Sequence, residues 1–151
     1  MEWMLMPLKR YAQFSGRSRR KEYWMFMLFV IIASVLIGIV EGILGLNTLV
    51  AGNGPISAIF SIATLIPYIA VAVRRLHDTN RSGLWLLLPA IPYLIVAIGV
   101  VTMNMAVAAI GGIAALAAGI TVFVFLCLSG NPGPNRFGED PKGDYSSEVF
   151  A

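Results

Sequence analysis

Four long apolar runs constrain the fold of this chain more than any other feature. They cover residues 23–46, 56–73, 83–101 and 106–128. Each is close to the roughly 20 apolar residues that a helix needs to cross the hydrocarbon core of a bilayer. A helix also satisfies its own backbone hydrogen bonds where no water is present. The sequence therefore predicts an all-α membrane protein with four transmembrane helices.

The polar residues gather in the segments between and beyond these runs. Only 13% of the 151 residues are charged, against about 25% in soluble domains. We divide the chain into a basic head at 1–22, a four-helix membrane domain at 23–128 and an irregular tail at 129–151. The head is expected to form either a short interfacial helix or a flexible leader. The single cysteine, Cys127, excludes an intrachain disulfide.

The placement of positive charge predicts the orientation in the membrane. All 11 Lys and Arg residues fall in the head, in the segment 74–81 or in the tail, and the other two connections contain none. Four spans place these three segments on the same side. Cytoplasmic segments are enriched in Lys and Arg, so we predict that both termini and the middle connection are cytoplasmic.

The middle connection holds most of the candidate chemistry: Arg74, Arg75, His77, Asp78 and Arg81. A histidine next to a carboxylate suggests acid–base catalysis, but adjacent side chains rarely face each other, and no nucleophile is marked nearby. The simpler interpretation is that Asp78 reaches back to Arg74 or Arg75 and fixes the turn. We therefore expect the protein not to be an enzyme.

The arginines allow two interpretations. They either set the topology beside anionic lipid headgroups, or form a defined anion site in which Arg17 and Arg20 of the head join those of the middle connection. No phosphate-binding glycine motif is present, and one histidine with one membrane-embedded cysteine does not make a metal site. We predict no cofactor, no metal and no nucleic-acid partner, and expect membrane lipids, a protein partner or a second copy of the chain as partners.

Glu41 is the one ionisable residue well inside an apolar run. An intramembrane carboxylate suggests a function by default, although a position near the headgroups also explains it. Glu41 and the prolines at 67, 89 and 92 support the alternative that the protein is a small transporter or channel acting as an oligomer.

Three ordered motifs resemble a known family. They read Phe14-x-Gly16-Arg17-x-x-Arg20-x-Glu22-Tyr23-Trp24, then Arg74-Arg75-Leu76-His77-Asp78-x-x-Arg81-Ser82-Gly83-x-Trp85, then Gly130-x-x-Gly133-x-Asn135-x-Phe137-Gly138-x-Asp140-Pro141. Together they are similar to the domain-of-unknown-function 805 family of small bacterial inner-membrane proteins. Leu84 and Phe137 depart from its common tryptophan and tyrosine. The resemblance implies a four-helix inner-membrane protein and supplies no biochemical activity.

The leading hypothesis joins these observations. The three motifs build one cytoplasmic face that recognises anionic lipid or a partner protein. The candidate residues of this face are Arg17, Arg20, Glu22, Arg74, Arg75, His77, Asp78, Arg81, Asn135 and Asp140. Two arrangements remain open: the residues converge on a ligand, or they pair with one another as a structural lock.

Overall fold

The computed structural model describes residues 2–46 and 54–142, and the helices dominate this part of the chain. Its only strand-like feature is an isolated bridge between Asn135 and Gly138. The α-helices are α1 Glu2–Lys9, α2 Arg20–Ile43, α3 Pro55–Asp78, α4 Ala90–Val101 and α5 Met105–Cys127, with a short 3₁₀ helix at Gly83–Leu87. The basic head therefore contains a short helix, which agrees with the expectation of a helical head and not with that of a flexible leader.

Four segments are long and apolar enough to cross a membrane: α2, α3, the stretch Gly83–Val101 and α5. This confirms the prediction of an all-helical chain with four membrane-capable helices. The third segment is not one continuous α-helix, because a 3₁₀ helix precedes α4. The side chain of Ser82 accepts a hydrogen bond from Leu84 N at the start of this 3₁₀ helix, and Pro89 occupies the N-cap position of α4 without a side-chain hydrogen bond. Prolines are tolerated at such helix starts because the first turn needs no N–H partner.

The end of α3 differs most from the prediction. The apolar run stops at Val73, but α3 continues for five more residues to Asp78. Arg74 and Arg75 were expected at the end of this helix and His77 and Asp78 in the connection after it, but all four residues lie on the helix. The charged side chains of this extension form ion pairs and hydrogen bonds with segments distant in sequence, which local hydropathy does not reveal. Asn80, with a positive φ of 58°, follows the helix end.

The main hydrophobic core lies at the end of the helices where the three motifs meet. It includes Tyr23 and Phe26 of α2, Leu76 of α3, and Val122 and Leu126 of α5. Two edge-to-face ring pairs border it, Trp24 with Phe123 and Trp85 with Phe125. Further along the helices, large apolar side chains are exposed, as expected for surfaces that face lipid. The fold thus brings the head, the end of α3 and the tail together around one packed end.

Candidate functional site

Five charged side chains are buried together at this end of the molecule. We call Arg17, Glu22, Arg74, Arg75 and Asp78 the buried charge cluster. None of their side chains is more than 4% exposed. Burying an ion costs several kcal/mol of hydration, so such a group must find close partners of opposite charge. The cluster meets this requirement by pairing among its own members.

Asp78 lies at the centre of the cluster, between two guanidinium groups. Its Oδ1 accepts a hydrogen bond from Arg17 Nε at 3.0 Å, and Arg17 Nη2 forms an ion pair with the same oxygen at 2.9 Å. Its Oδ2 accepts from Arg75 Nη1. Gly130 packs directly against this carboxylate, and a Cβ at that position would overlap both oxygens. The carboxylate of Asp78 is therefore engaged by two arginines, and not by the adjacent His77.

Arg17 connects the head to the tail as well as to α3. Its Nη1 donates to Gly133 O at 2.6 Å, and its Nη2 donates to Asn131 O at 2.5 Å. The backbone N–H of Asn131 in turn donates to Asp78 O at 2.8 Å. One guanidinium thus joins segments more than 100 residues apart in sequence.

Arg75 holds the end of α5. Its Nε donates to Leu126 O at 3.0 Å, and its Nη2 donates to Leu128 O. The last carbonyls of a helix lack partners within the helix and carry the negative end of its dipole. A buried arginine from α3 therefore caps α5 from outside that helix.

Arg74 makes the corresponding connection to the head and to α2. Its Nη2 donates to Glu22 Oε1 at 2.9 Å, and its Nη1 donates to Gln13 O at 3.1 Å. The backbone carbonyl of Arg74 accepts from Ser18 N at 3.1 Å. Among the residues that the structure describes, Arg74 Nε is the one buried side-chain polar atom without a hydrogen-bond partner. Arg74 is thus less completely satisfied than Arg75.

His77 takes part in fastening the tail. Its Nδ1 lies 3.1 Å from Gly16 O, and its ring stacks on Phe137 with centroids 3.9 Å apart and planes 3° from parallel. Asn135 Nδ2 donates to His77 O at 2.9 Å. The contact with Phe137 was not anticipated from the sequence, because no local pattern joins residues 60 positions apart.

Asp140 organises the tail at the edge of the cluster. Its Oδ1 accepts from Lys142 N and its Oδ2 from Gly133 N, both at 2.9 Å. Arg17 Nη2 lies 3.9 Å from the same carboxylate. The backbone N–H of Lys142, followed by that of Gly133, lowers the pKa of the Asp140 carboxyl.

Arg20 and Arg81, the other two arginines among the candidates, lie outside the cluster. Arg20 is exposed, and its one hydrogen bond is a long one of 3.4 Å to Cys127 O. Arg81 lies over the ring of Phe125 at 4.1 Å, in a cation–π contact. A cavity of about 430 Å³ opens beside Arg20, lined by Arg20, Lys21, Trp24, Met25 and Cys127. Arg20 is the one member of this lining that was among the predicted site residues, and Cys127 joins the α2 residues only through the packing of α5 on α2.

Glu41 lies at the opposite end of the helices, roughly 30 Å along α2 from Arg20. Its side chain is buried. It accepts hydrogen bonds from Gly54 N at 3.2 Å, Ile56 N at 2.6 Å and Ser57 N at 3.0 Å, and from the Ser57 hydroxyl. Gly54 is the N-cap of α3 and has no side chain with which to cap it. Glu41 therefore supplies the cap from the neighbouring helix, a role that neither sequence interpretation had included.

Comparison with known proteins places most of the chain in one family. The profile of a family described as "Protein of unknown function (DUF805)" matches residues 11–139. The inner membrane proteins YhaI and YhaH of Escherichia coli K12 are each 39% identical over 142 residues, which is 94% of this chain and 97% and 98% of theirs. No solved structure matches. The chain therefore belongs to the DUF805 family, and it is an inner-membrane protein with four membrane-capable helices.

Proposed function

We propose that this protein is a non-enzymatic inner-membrane protein whose cytoplasmic face recognises anionic phospholipid. The observation that carries the proposal is the contrast between two groups that together contain nine of the 11 basic residues. Three arginines are turned inward and paired. Among the described residues, six basic side chains are exposed against two acidic ones; they are Lys9, Arg10, Arg20, Lys21, Arg136 and Lys142, against Glu2 and Glu139.

The inward group acts as the structural lock of this face. Asp78 pairs with Arg17 and Arg75, Glu22 pairs with Arg74, and backbone carbonyls of the head, α5 and the tail accept further hydrogen bonds from these arginines. A phosphate added to this cluster would have to displace partners that are already buried. Lipid headgroups therefore contact the exposed basic residues, while the buried charge cluster stabilises the arrangement of the segments that carry them.

The orientation belongs to the same proposal. All 11 Lys and Arg residues lie in the head, the end of α3 with the following turn, or the tail, and these segments meet at one end of the helices. The positive-inside rule supports a cytoplasmic location for this end and for both termini. Anionic lipids of the cytoplasmic leaflet attract nearby Lys and Arg residues by about 1 kcal/mol each. A C-terminal fluorescent-protein fusion tests the orientation, since fluorescence is expected only from a cytoplasmic terminus.

Thermal stability in nanodiscs tests the lipid recognition. We expect a higher melting temperature in phosphatidylcholine mixed with phosphatidylglycerol than in phosphatidylcholine alone, because the anionic headgroups bind the folded surface. Raising the ionic strength should reduce this difference, since salt screens exposed charges. Equal melting temperatures in the two lipids at low salt would overturn the proposal.

The transporter or channel alternative ranks second. Its main support was Glu41, and the four hydrogen bonds that this carboxylate accepts account for it as a helix cap. If the protein carries an ion flux in proteoliposomes and Glu41→Gln abolishes it, the transporter or channel function would be supported. A homo-oligomer and a protein partner stay predictions.

A further inference from the structure

We propose that the cavity beside the first turns of α2 binds one anionic phospholipid, with its phosphate between Arg20 and Lys21 and its acyl chain along Trp24 and Met25. The inference rests on the proposed function and specifies its site. The cavity measures about 430 Å³ and lies where the start of α2 meets the end of α5 at Cys127.

The lining of the cavity changes from charged to apolar along the helix. Arg20 and Lys21 are the first two residues of α2, and Trp24 and Met25 follow one helical turn later, about 5–6 Å deeper. An anionic phospholipid shows the same order, a charged phosphate followed by an apolar chain. Tryptophan also prefers the zone in which headgroups give way to hydrocarbon.

The two cations of the cavity are available to a ligand. Among residues 2–46 and 54–142, every ion pair is formed by other side chains. The neighbouring carboxylate of Glu22 is buried and turned to Arg74. Lys21 Nζ lies 5.8 Å from the ring of Trp3, and the Arg20 bond to Cys127 O is 3.4 Å long. The positive end of the α2 dipole adds to the attraction for an anion.

A second cavity of equal volume provides the contrast. It also measures about 430 Å³, and its lining is Ser82, Leu84, Trp85, Leu87, Leu88 and Ile91. No charged side chain lines it, so it has no means of choosing an anionic lipid over a neutral one. The presence of Arg20 and Lys21 therefore distinguishes the proposed site from an ordinary lipid-facing groove.

Cys127 provides a direct readout, because it is the only cysteine of the chain and lines the cavity. The full chain is placed in nanodiscs of phosphatidylcholine with or without phosphatidylglycerol, and the rate of Cys127 modification by a water-soluble maleimide is followed by mass spectrometry. We expect phosphatidylglycerol to slow this reaction. The Arg20→Gln/Lys21→Gln double variant should need at least about tenfold more phosphatidylglycerol for the same protection, because it loses two charge-assisted contacts.

The matched control is the Lys9→Gln/Arg10→Gln double variant. It removes the same charge from the same basic head at two exposed residues outside the cavity. We expect it to keep nearly the full protection of Cys127, and both variants to keep the wild-type melting temperature in phosphatidylcholine alone. Equal loss of protection in the two variants would overturn the site, because it would mean diffuse attraction to the surface.

Two further results separate the site from the function it rests on. Glycerol 3-phosphate in phosphatidylcholine nanodiscs is expected to give no protection, and protection by it would overturn the assignment to a lipid. If phosphatidylglycerol raises the melting temperature of Arg20→Gln/Lys21→Gln as much as that of the wild type, the site is wrong and the proposed function stands. If it fails to stabilise the wild type, the proposed function itself falls.

Discussion

Arg17 and Arg20 are three residues apart and behave in opposite ways. The side chain of Arg17 is 1% exposed, pairs with Asp78 and donates to two carbonyls of the tail. Arg20 is exposed and makes one long hydrogen bond. The contrast separates two kinds of positive charge near the membrane. Buried arginines join segments of the protein, whereas we propose that the exposed ones meet the lipid.

The buried position of Arg17 and the exposed position of Arg20 also have different energetic consequences. A buried ion has lost its hydration, so the removal of its partner leaves an uncompensated charge. An exposed ion keeps its water and depends little on any one neighbour. Substitutions at the partners of the buried arginines should therefore be costly, and matched substitutions on the exposed surface should not.

Asp78→Asn is expected to have the largest effect, because two buried guanidinium groups lose their shared carboxylate. We predict a loss of about 3–5 kcal/mol in the free energy of unfolding, measured by denaturant titration in mild detergent. Glu139→Gln removes an exposed carboxylate of the tail and serves as the control, with a change within about 0.5 kcal/mol. Similar losses in the two variants would remove the distinction between inward and outward charge.

Gly130→Ala tests how closely the tail approaches the buried charge cluster. The added methyl group would overlap the Asp78 carboxylate, so we predict a loss of about 1–3 kcal/mol in the same titration. Gly112→Ala is the control, because a Cβ at Gly112 meets nothing within 4 Å. Because alanine is more stable than glycine inside a helix by about 0.5–1 kcal/mol, Gly112→Ala should not reduce the free energy of unfolding. A neutral result at Gly130 would place the tail further from Asp78.

Glu41→Ala extends the comparison to the other end of the helices. The variant should leave the first amides of α3 without their acceptor, so we predict faster hydrogen exchange at Ile56 and Ser57. Exchange at Leu76, beside the charge cluster, should not change. A protein that unfolds as a whole, or one with unchanged exchange at Ile56, would contradict a local capping role.

Acidification is expected to have the smallest and most local effect. Hydrogen bonding from Lys142 N holds the pKa of Asp140 below its ordinary value of 3.8. The ionised carboxylate of Asp140 therefore stabilises the folded tail fully at a pH above 3.8. This stabilisation is lost as the pH falls below 3.8 and through the lower pKa of the folded protein. We predict that protection of the Gly133 amide, corrected for intrinsic exchange, decreases in acid. Asp140→Asn should show low protection at neutral pH already, and a wild-type-like amide in that variant would contradict the prediction.

The spans could be predicted from the sequence because hydrophobic length is a local property. The four apolar runs at 23–46, 56–73, 83–101 and 106–128 correspond to the four membrane-capable helices. The end of α3 could not be predicted in the same way. A hydropathy pattern stops at Val73, and the stability of the last turn comes from Glu22, the carbonyls of α5 and the tail, all distant in sequence.

The candidate site was predictable as a set of residues but not as an arrangement. The three motifs named most of the side chains that meet at one end of the fold, and the expected contact of Asp78 with Arg75 is present. The division into buried and exposed arginines was not visible, because Arg17 and Arg20 have the same chemistry and similar neighbours in sequence. The partners of Arg17 lie 61 and more positions away. Only the folded chain shows which of them is paired.

A double-mutant cycle between Arg17 and Asp78 tests the central claim, that the inward arginines lock the polar end of the fold. The free energies of unfolding of Arg17→Gln, Asp78→Asn and the double variant are compared with that of the wild type. We predict a coupling energy of about 2 kcal/mol or more, since the two side chains share one buried contact. Additivity within about 0.5 kcal/mol would contradict the claim, because it would mean that the pair contributes nothing as a pair.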